Sequence, residues 1–157
     1  MILLFRVDDR LVHGQVAVGW KNALDANHLL VIDNEVASNE FDRTLMEMSA
    51  PYDLRLNIMD EKEAARKVPS LARDAQLRTI VLVRNPDVVE HLIDEGVKIE
   101  ELNIGGMRFS PGKSQVTRAV YLNSEDVAKI KDLARRGIKI EGRIVPTDKK
   151  SDFLQLL

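Results

Sequence analysis

The chain has 157 residues, 45% hydrophobic and 31% charged, with a net charge of −2 and no cysteine. That length supports one domain with a full core, and that balance excludes a disordered chain. The charge gives no basis for nucleic-acid binding, the missing thiols exclude disulfides and thiol catalysis, and no apolar run reaches membrane-spanning length.

The N-terminal run Ile2–Phe5 carries no cleavage signature and reads as a first strand, which makes a cytoplasmic protein the expectation. A charged loop follows, and then an amphipathic helix with Val16, Trp20, Ala23 and Leu24 on one side. Leu29–Ile32 is a second strand, ending at Asp33-Asn34. Phe41, Leu45 and Met48 form the apolar stripe of a helix closed off before Pro51. Leu54–Ile58 alternates apolar and polar residues, the pattern of an edge strand with one face partly wet. Asp60 with Glu63 is an acidic capping box opening a helix that Pro69 is expected to shorten or kink.

Ile80–Val83 is again continuous and branched. Asn85-Pro86 places a cap before proline at the first helical position, Val88, Val89, Leu92 and Ile93 give that helix an apolar face, and Gly96 sits where it stops. Leu102–Ile104 is a buried strand leading into Gly105-Gly106, and Arg118–Leu122 is a further strand. Ser124 is the expected cap of a helix that turns Val127, Ile130, Leu133 and Ala134 inward and ends at Gly137. Ile138–Glu141 is a second alternating edge strand, and the tail from Thr147 to Leu157 reads as a terminal helix. Short buried strands alternating with helices predict an α/β fold. It is a single three-layer α/β/α domain over 1–157, with an open, mainly parallel twisted sheet of about six to seven strands.

The chemistry is expected in Arg6-Val7-Asp8-Asp9-Arg10-Leu11-Val12-His13-Gly14-Gln15, where a strand ends and a helix begins. In an open α/β sheet this is where phosphate binds and reactive groups stand. A neutral imidazole is a competent nucleophile toward a phosphoryl group, provided that the phosphoryl charge is offset and a donor can approach. Arg10 lies three residues before His13, and its planar fork suits phosphoryl oxygens. The amides of Gly14, Gln15 and Val16 are free donors at the helix terminus, and Gly14 has no side chain to block a donor. Asp8 or Asp9 is placed to hold Arg10 or to fix the imidazole tautomer. Gly105-Gly106, after another parallel strand, reaches the same edge and allows close backbone approach to a phosphoryl group. A solvated Asp-Asp-Arg turn with a capping histidine is the competing reading of the loop, and a simple turn that of the glycines. His28 and His91 lack such surroundings and read as structural. Gly112-Lys113-Ser114 has the end of a P-loop, but Met107 occupies the first glycine's position, so no nucleotide is expected.

Arg6-Val7-Asp8-Asp9-Arg10-Leu11-Val12-His13-Gly14-Gln15-Val16 resembles the phosphorylation-site signature of IIB components in bacterial sugar phosphotransferase systems of the mannose/fructose/sorbose family. The similarity continues in order through Asn85-Pro86, Gly96–Ile99, Asn103–Met107, Gly112-Lys113, Gln115-Val116 and Arg136–Ile138. The resemblance implies that His13 accepts a phosphoryl group on Nδ1 from a phosphohistidine of a IIA component. It then passes the group to a sugar brought in by the membrane components IIC and IID. Arg10 matches the family's phosphate-stabilising arginine, and Gly14 and Gln15 match the adjoining loop; no metal or cofactor is implied. The donor is expected on a separate polypeptide, and the carrier at the inner face of the membrane through IIC/IID. Val18-Gly19 departs from the more polar pattern expected before Trp20, on a surface facing partners. A regulatory phosphocarrier without transport, and a domain that only binds a phosphate or sugar phosphate, are the alternatives. Neither the sugar nor the oligomeric state is legible.

Overall fold

Six parallel strands form one sheet in the spatial order β3 (Arg55–Met59), β2 (His28–Ile32), β4 (Thr79–Val83), β1 (Ile2–Asp8), β5 (Glu101–Gly106), β8 (Lys139–Glu141). This computed structural model describes residues 1–157. Strands β2 and β4 are buried along their whole length, which is why their sequences are continuous and branched. The two alternating segments, β3 and β8, occupy the two edges, as their pattern predicts.

Side chains alternate across β1, so Phe5 and Val7 enter one core while Leu4 enters the other. The Phe5–Val7 face is covered by α4 (Glu61–Arg73), α5 (Pro86–Asp94) and α6 (Ser124–Arg135). The opposite face is covered by α1 (Gly14–Leu24), with α2 (Asn34–Ser38) and α3 (Glu40–Ser49). The result is the expected three-layer architecture. No helix is long and apolar enough to cross a membrane.

Several local expectations change. The strand β1 runs on through Arg6 and Asp8, which are each 1% exposed, so the charged stretch begins inside the sheet rather than after it. Arg118–Leu122 contributes only β7 (Val120–Leu122), which pairs antiparallel with β6 (Ser114–Thr117) in a separate hairpin joined to the end of β5 by a Met107–Val120 bridge. Asn123, not Ser124, caps α6: its side chain accepts from the Asp126 N–H while Asp126 accepts from the Asn123 N–H. Helix α4 passes through Pro69 to Arg73, because its buried Ala64 and Val68 hold it to the core across the missing hydrogen bond. The tail forms a single 3-10 turn, Phe153–Leu156, pinned by the fully buried Phe153 ring, rather than an α-helix. Finally, no residue of α3 is buried, so the stripe Phe41, Leu45, Met48 faces solvent.

Candidate active site

All six strands are parallel, so their carboxyl ends share one edge, and β1 lies between β4 and β5 there. The chain leaves β1 in a tight turn closed by Leu11 N–H donating to the Asp8 carbonyl at 2.9 Å. Leu11 has a φ of 57°, a left-handed conformation that costs a branched side chain about 1–2 kcal/mol. Its side chain is 3% exposed, and burying a leucine contributes about 1.5–3 kcal/mol, enough to hold the turn. Val12 is buried too, at 5%. With both apolar residues inside, His13 is turned out.

His13 is the N-cap of α1, with an extended backbone, an exposed side chain and no capping hydrogen bond from its imidazole. Its carbonyl accepts from Ala17 N–H at 2.8 Å, which starts the helix. The N–H groups of Gly14, Gln15 and Val16 fall in the first turn, where an α-helix offers no backbone acceptor. They are available to an anion, with the positive end of the helix dipole behind them.

Arg10 is fixed before any ligand arrives. Its Nε and Nη2 donate to the two oxygens of Asp8 at 2.9 and 2.8 Å, and it remains about one-third exposed. The second Asp8 oxygen also receives Nη2 of the buried Arg6 at 3.0 Å. Burial pushes the Asp8 carboxyl upward, but the hydrogen bonds from Arg10 and the Arg6 charge outweigh it and hold the group below the usual carboxylate range. In return Asp8 raises the hold of Arg10 on its proton. Burial acts downward on Arg6, opposed chiefly by Asp8.

Arg6 is itself seated by Asn103 Oδ1 at 2.6 Å and by the carbonyls of Arg143 and Ile144, each at 3.1 Å. Only its Nε is left without a partner. The Trp20 ring is within cation–π range of two guanidiniums, Arg6 at 5.5 Å and Arg143 at 5.0 Å from its centroid. Arg143 in turn is held by the buried Glu141.

This network explains Gly105 and Gly106 differently from the sequence. A Cβ on Gly105 would stand 2.0 Å from Arg6 Cζ, and one on Gly106 would stand 2.9 Å from Asp8 Oδ1. The glycines make room for the buried ion pairs, and through them for Arg10. The roles of the paired aspartates also separate. Asp8 is the holder of Arg10, whereas Asp9 Oδ2 accepts from the N–H and Nε of Arg108 at 2.8 and 3.2 Å. Neither carboxylate bonds the His13 ring.

Two arginines on this edge escaped sequence reasoning. Arg84, just past β4, donates to Asp33 at 2.8 Å and approaches the Asp9 carbonyl at 3.4 Å; Arg108 follows β5. Their common signal was position, since each stands just beyond a buried strand. Asp33 also caps α2, accepting from Val36 N–H at 2.9 Å. His28 is fully buried between Thr79 and Asn57, at 2.8 Å from each, and His91 lies on α5 beside Glu61, so both stand apart from the site. A cavity of about 560 Å³ lies by Met1–Phe5 and Val97–Glu101 at the other end of the strands and includes none of Asp8, Arg10 and His13. His13 itself is exposed.

The family model for the PTS system sorbose subfamily IIB component matches residues 2–157. The chain is 38% identical to the sorbose-specific EIIB component of Lacticaseibacillus casei, covering 98% of this chain and 93% of that one. It is also 38% identical to the mannose-specific EIIAB component of Escherichia coli strain K12 over 100% of its own length, which spans 48% of that longer protein. The crystal structure of the IIBSor domain of the sorbose permease from Klebsiella pneumoniae superposes with a TM-score of 0.87 at 33% identity, covering 99% of this chain and 95% of that one. With the matching fold and nearly complete coverage, the chain belongs to the sorbose-subfamily IIB components of the sugar phosphotransferase system.

Proposed function

We propose that this IIB component, a phosphotransferase subunit, carries its phosphoryl group on Nδ1 of His13. The observation that carries the reading is the exposed imidazole of His13 at a helix N-terminus, in the same short loop as a pre-fixed arginine. In the first step the Nδ1 lone pair attacks phosphorus on the phosphohistidine of a IIA component. The donor's P–N bond breaks as the new one forms, and the donor imidazole leaves with the bonding pair. Arg10 and the Gly14, Gln15 and Val16 amides meet the negative equatorial oxygens, and because Asp8 has already oriented the guanidinium, little reorganisation is needed. In the second step a sugar hydroxyl, presented by the membrane components IIC and IID, attacks the phosphorus; the Nδ1–P bond of His13 breaks with its pair returning to the imidazole, and the hydroxyl proton passes to water. The relay operates on the cytoplasmic face. Relatives are named for sorbose, mannose, fructose and N-acetylgalactosamine, which makes these the sugars to try.

The test is transfer from a phosphorylated IIA domain to the purified chain, with the modified residue mapped under alkaline conditions. Acid-labile, alkali-stable label on His13, and none in His13→Ala, is the expected result. His13 makes no side-chain hydrogen bond, so the substitution leaves the fold intact, within about 0.5 kcal/mol. Label persisting in His13→Ala, or no label from an active donor, would overturn the assignment.

A further inference from the structure

Helix α3 is amphipathic with its apolar face outward. Phe41, Leu45 and Met48 recur at one-turn spacing and share a face, yet they are 70%, 42% and 78% exposed. Tyr52, just beyond the helix, is 100% exposed. Scattered exposed apolar residues need no explanation, but a continuous stripe of aromatic and methionine side chains is the composition of an interface core.

This stripe adjoins the reaction site. The Ser49 carbonyl, in the last turn of α3, lies 3.9 Å from where a Cβ on Gly14 would stand. Farther along, Lys21 of α1 pairs with Asp53. Val18, 39% exposed on α1, lies between these two contacts. Through these contacts α3 sits beside the helix whose first turn follows His13.

Charge decides between partners. Glu40, Asp42 and Glu47 lie on α3, whose only cation, Arg43, is turned onto the Ala37 carbonyl at 3.2 Å. The phosphohistidine donor brings an anion, which this acidic helix repels and which Arg10, Arg84 and Arg108 on the strand edge attract. Cytoplasmic loops of integral membrane proteins carry an excess of lysine and arginine, the complement of α3. We propose that the outward face of α3, extended by Tyr52 and Val18, docks on basic cytoplasmic loops of the membrane-embedded sugar acceptor. This rests on the carrier role of His13 and adds the surface that directs its second step.

The experiment separates the two steps. Wild type, the double variant Phe41→Ser/Met48→Ser and the charge reversal Glu47→Lys are each labelled from phosphorylated IIA. They are then discharged on inverted vesicles carrying IIC and IID, with sorbose, mannose, fructose and N-acetylgalactosamine. Labelling is expected within about twofold of wild type for both variants. Discharge at limiting carrier is expected to slow about tenfold or more, as for loss of central interface contacts, and the wild-type rate to fall with added salt. Unchanged discharge overturns the proposal. So does slowed labelling with normal discharge, which would assign the stripe to the donor, or a wild-type dimer in sedimentation that the double variant abolishes. A wild-type chain that takes no label overturns the carrier reading itself, and a labelled wild type that discharges to none of the sugars overturns the second step and this docking proposal with it.

Discussion

Asp8 receives both Nε and Nη2 of Arg10, at 2.9 and 2.8 Å, on opposite oxygens of one carboxylate. Two parallel hydrogen bonds fix the guanidinium plane as well as its position. Arg10→Lys keeps the charge and loses the fork. We expect it to fold normally and to slow phosphoryl transfer to His13 by about tenfold to a thousandfold. Single-turnover labelling measures this; a wild-type rate would make Arg10 a purely structural residue.

Asp8 also compensates the buried Arg6. Asp8→Asn removes that charge while keeping the shape, and breaking a buried pair in this way costs about 3–5 kcal/mol. The denaturant midpoint should fall accordingly. The native carboxyl titrates below its unfolded value, so its stabilising effect is complete above about pH 3.9 and is lost as pH falls through the lowered native value. In the variant this part of the acid dependence should disappear.

Gly105→Ala drives a methyl into the Arg6 guanidinium, 2.0 Å from Cζ, and no rotamer of a side chain so fully enclosed relieves it. Destabilisation of about 3 kcal/mol or more is expected. Gly106→Ala, whose Cβ would lie 2.9 Å from Asp8 Oδ1, should cost less stability but disturb the holder of Arg10 directly. Comparing the two by unfolding and by transfer rate separates stability from positioning: Gly105→Ala should lose more stability, and Gly106→Ala more rate per unit of stability lost.

His28 gives a second pH dependence, independent of the site. Burial, the largest cause, depresses its pKa, against the opposing Asn57 hydrogen bond, so the folded state favours the neutral ring more than the unfolded chain does. The unfolded chain takes up a proton below about pH 6.5. Protonation therefore favours unfolding, and stability should fall as pH drops through about 6.5 toward the lowered native value. His28→Gln should flatten that segment of the curve, as measured by urea unfolding at a series of pH values.

The alternation of buried strands and capped helices was legible because it is local: Asn85 caps α5 and β3 and β8 are edges for reasons written within a few neighbouring residues. The place of His13 was legible too, since a histidine between a strand and a helix can stand in few places, here the N-cap of α1. Other features depend on partners distant in sequence. Nothing near Arg6 announces that Asn103 and the Arg143 and Ile144 carbonyls will receive a guanidinium inside the sheet. For the same reason Gly105 and Gly106 read as a phosphate loop, when tertiary packing sets them against Arg6 and Asp8. The stripe of α3 shows the limit most simply: periodicity determines that Phe41, Leu45 and Met48 share a face, and only the packing of the other helices decides that this face is left to solvent.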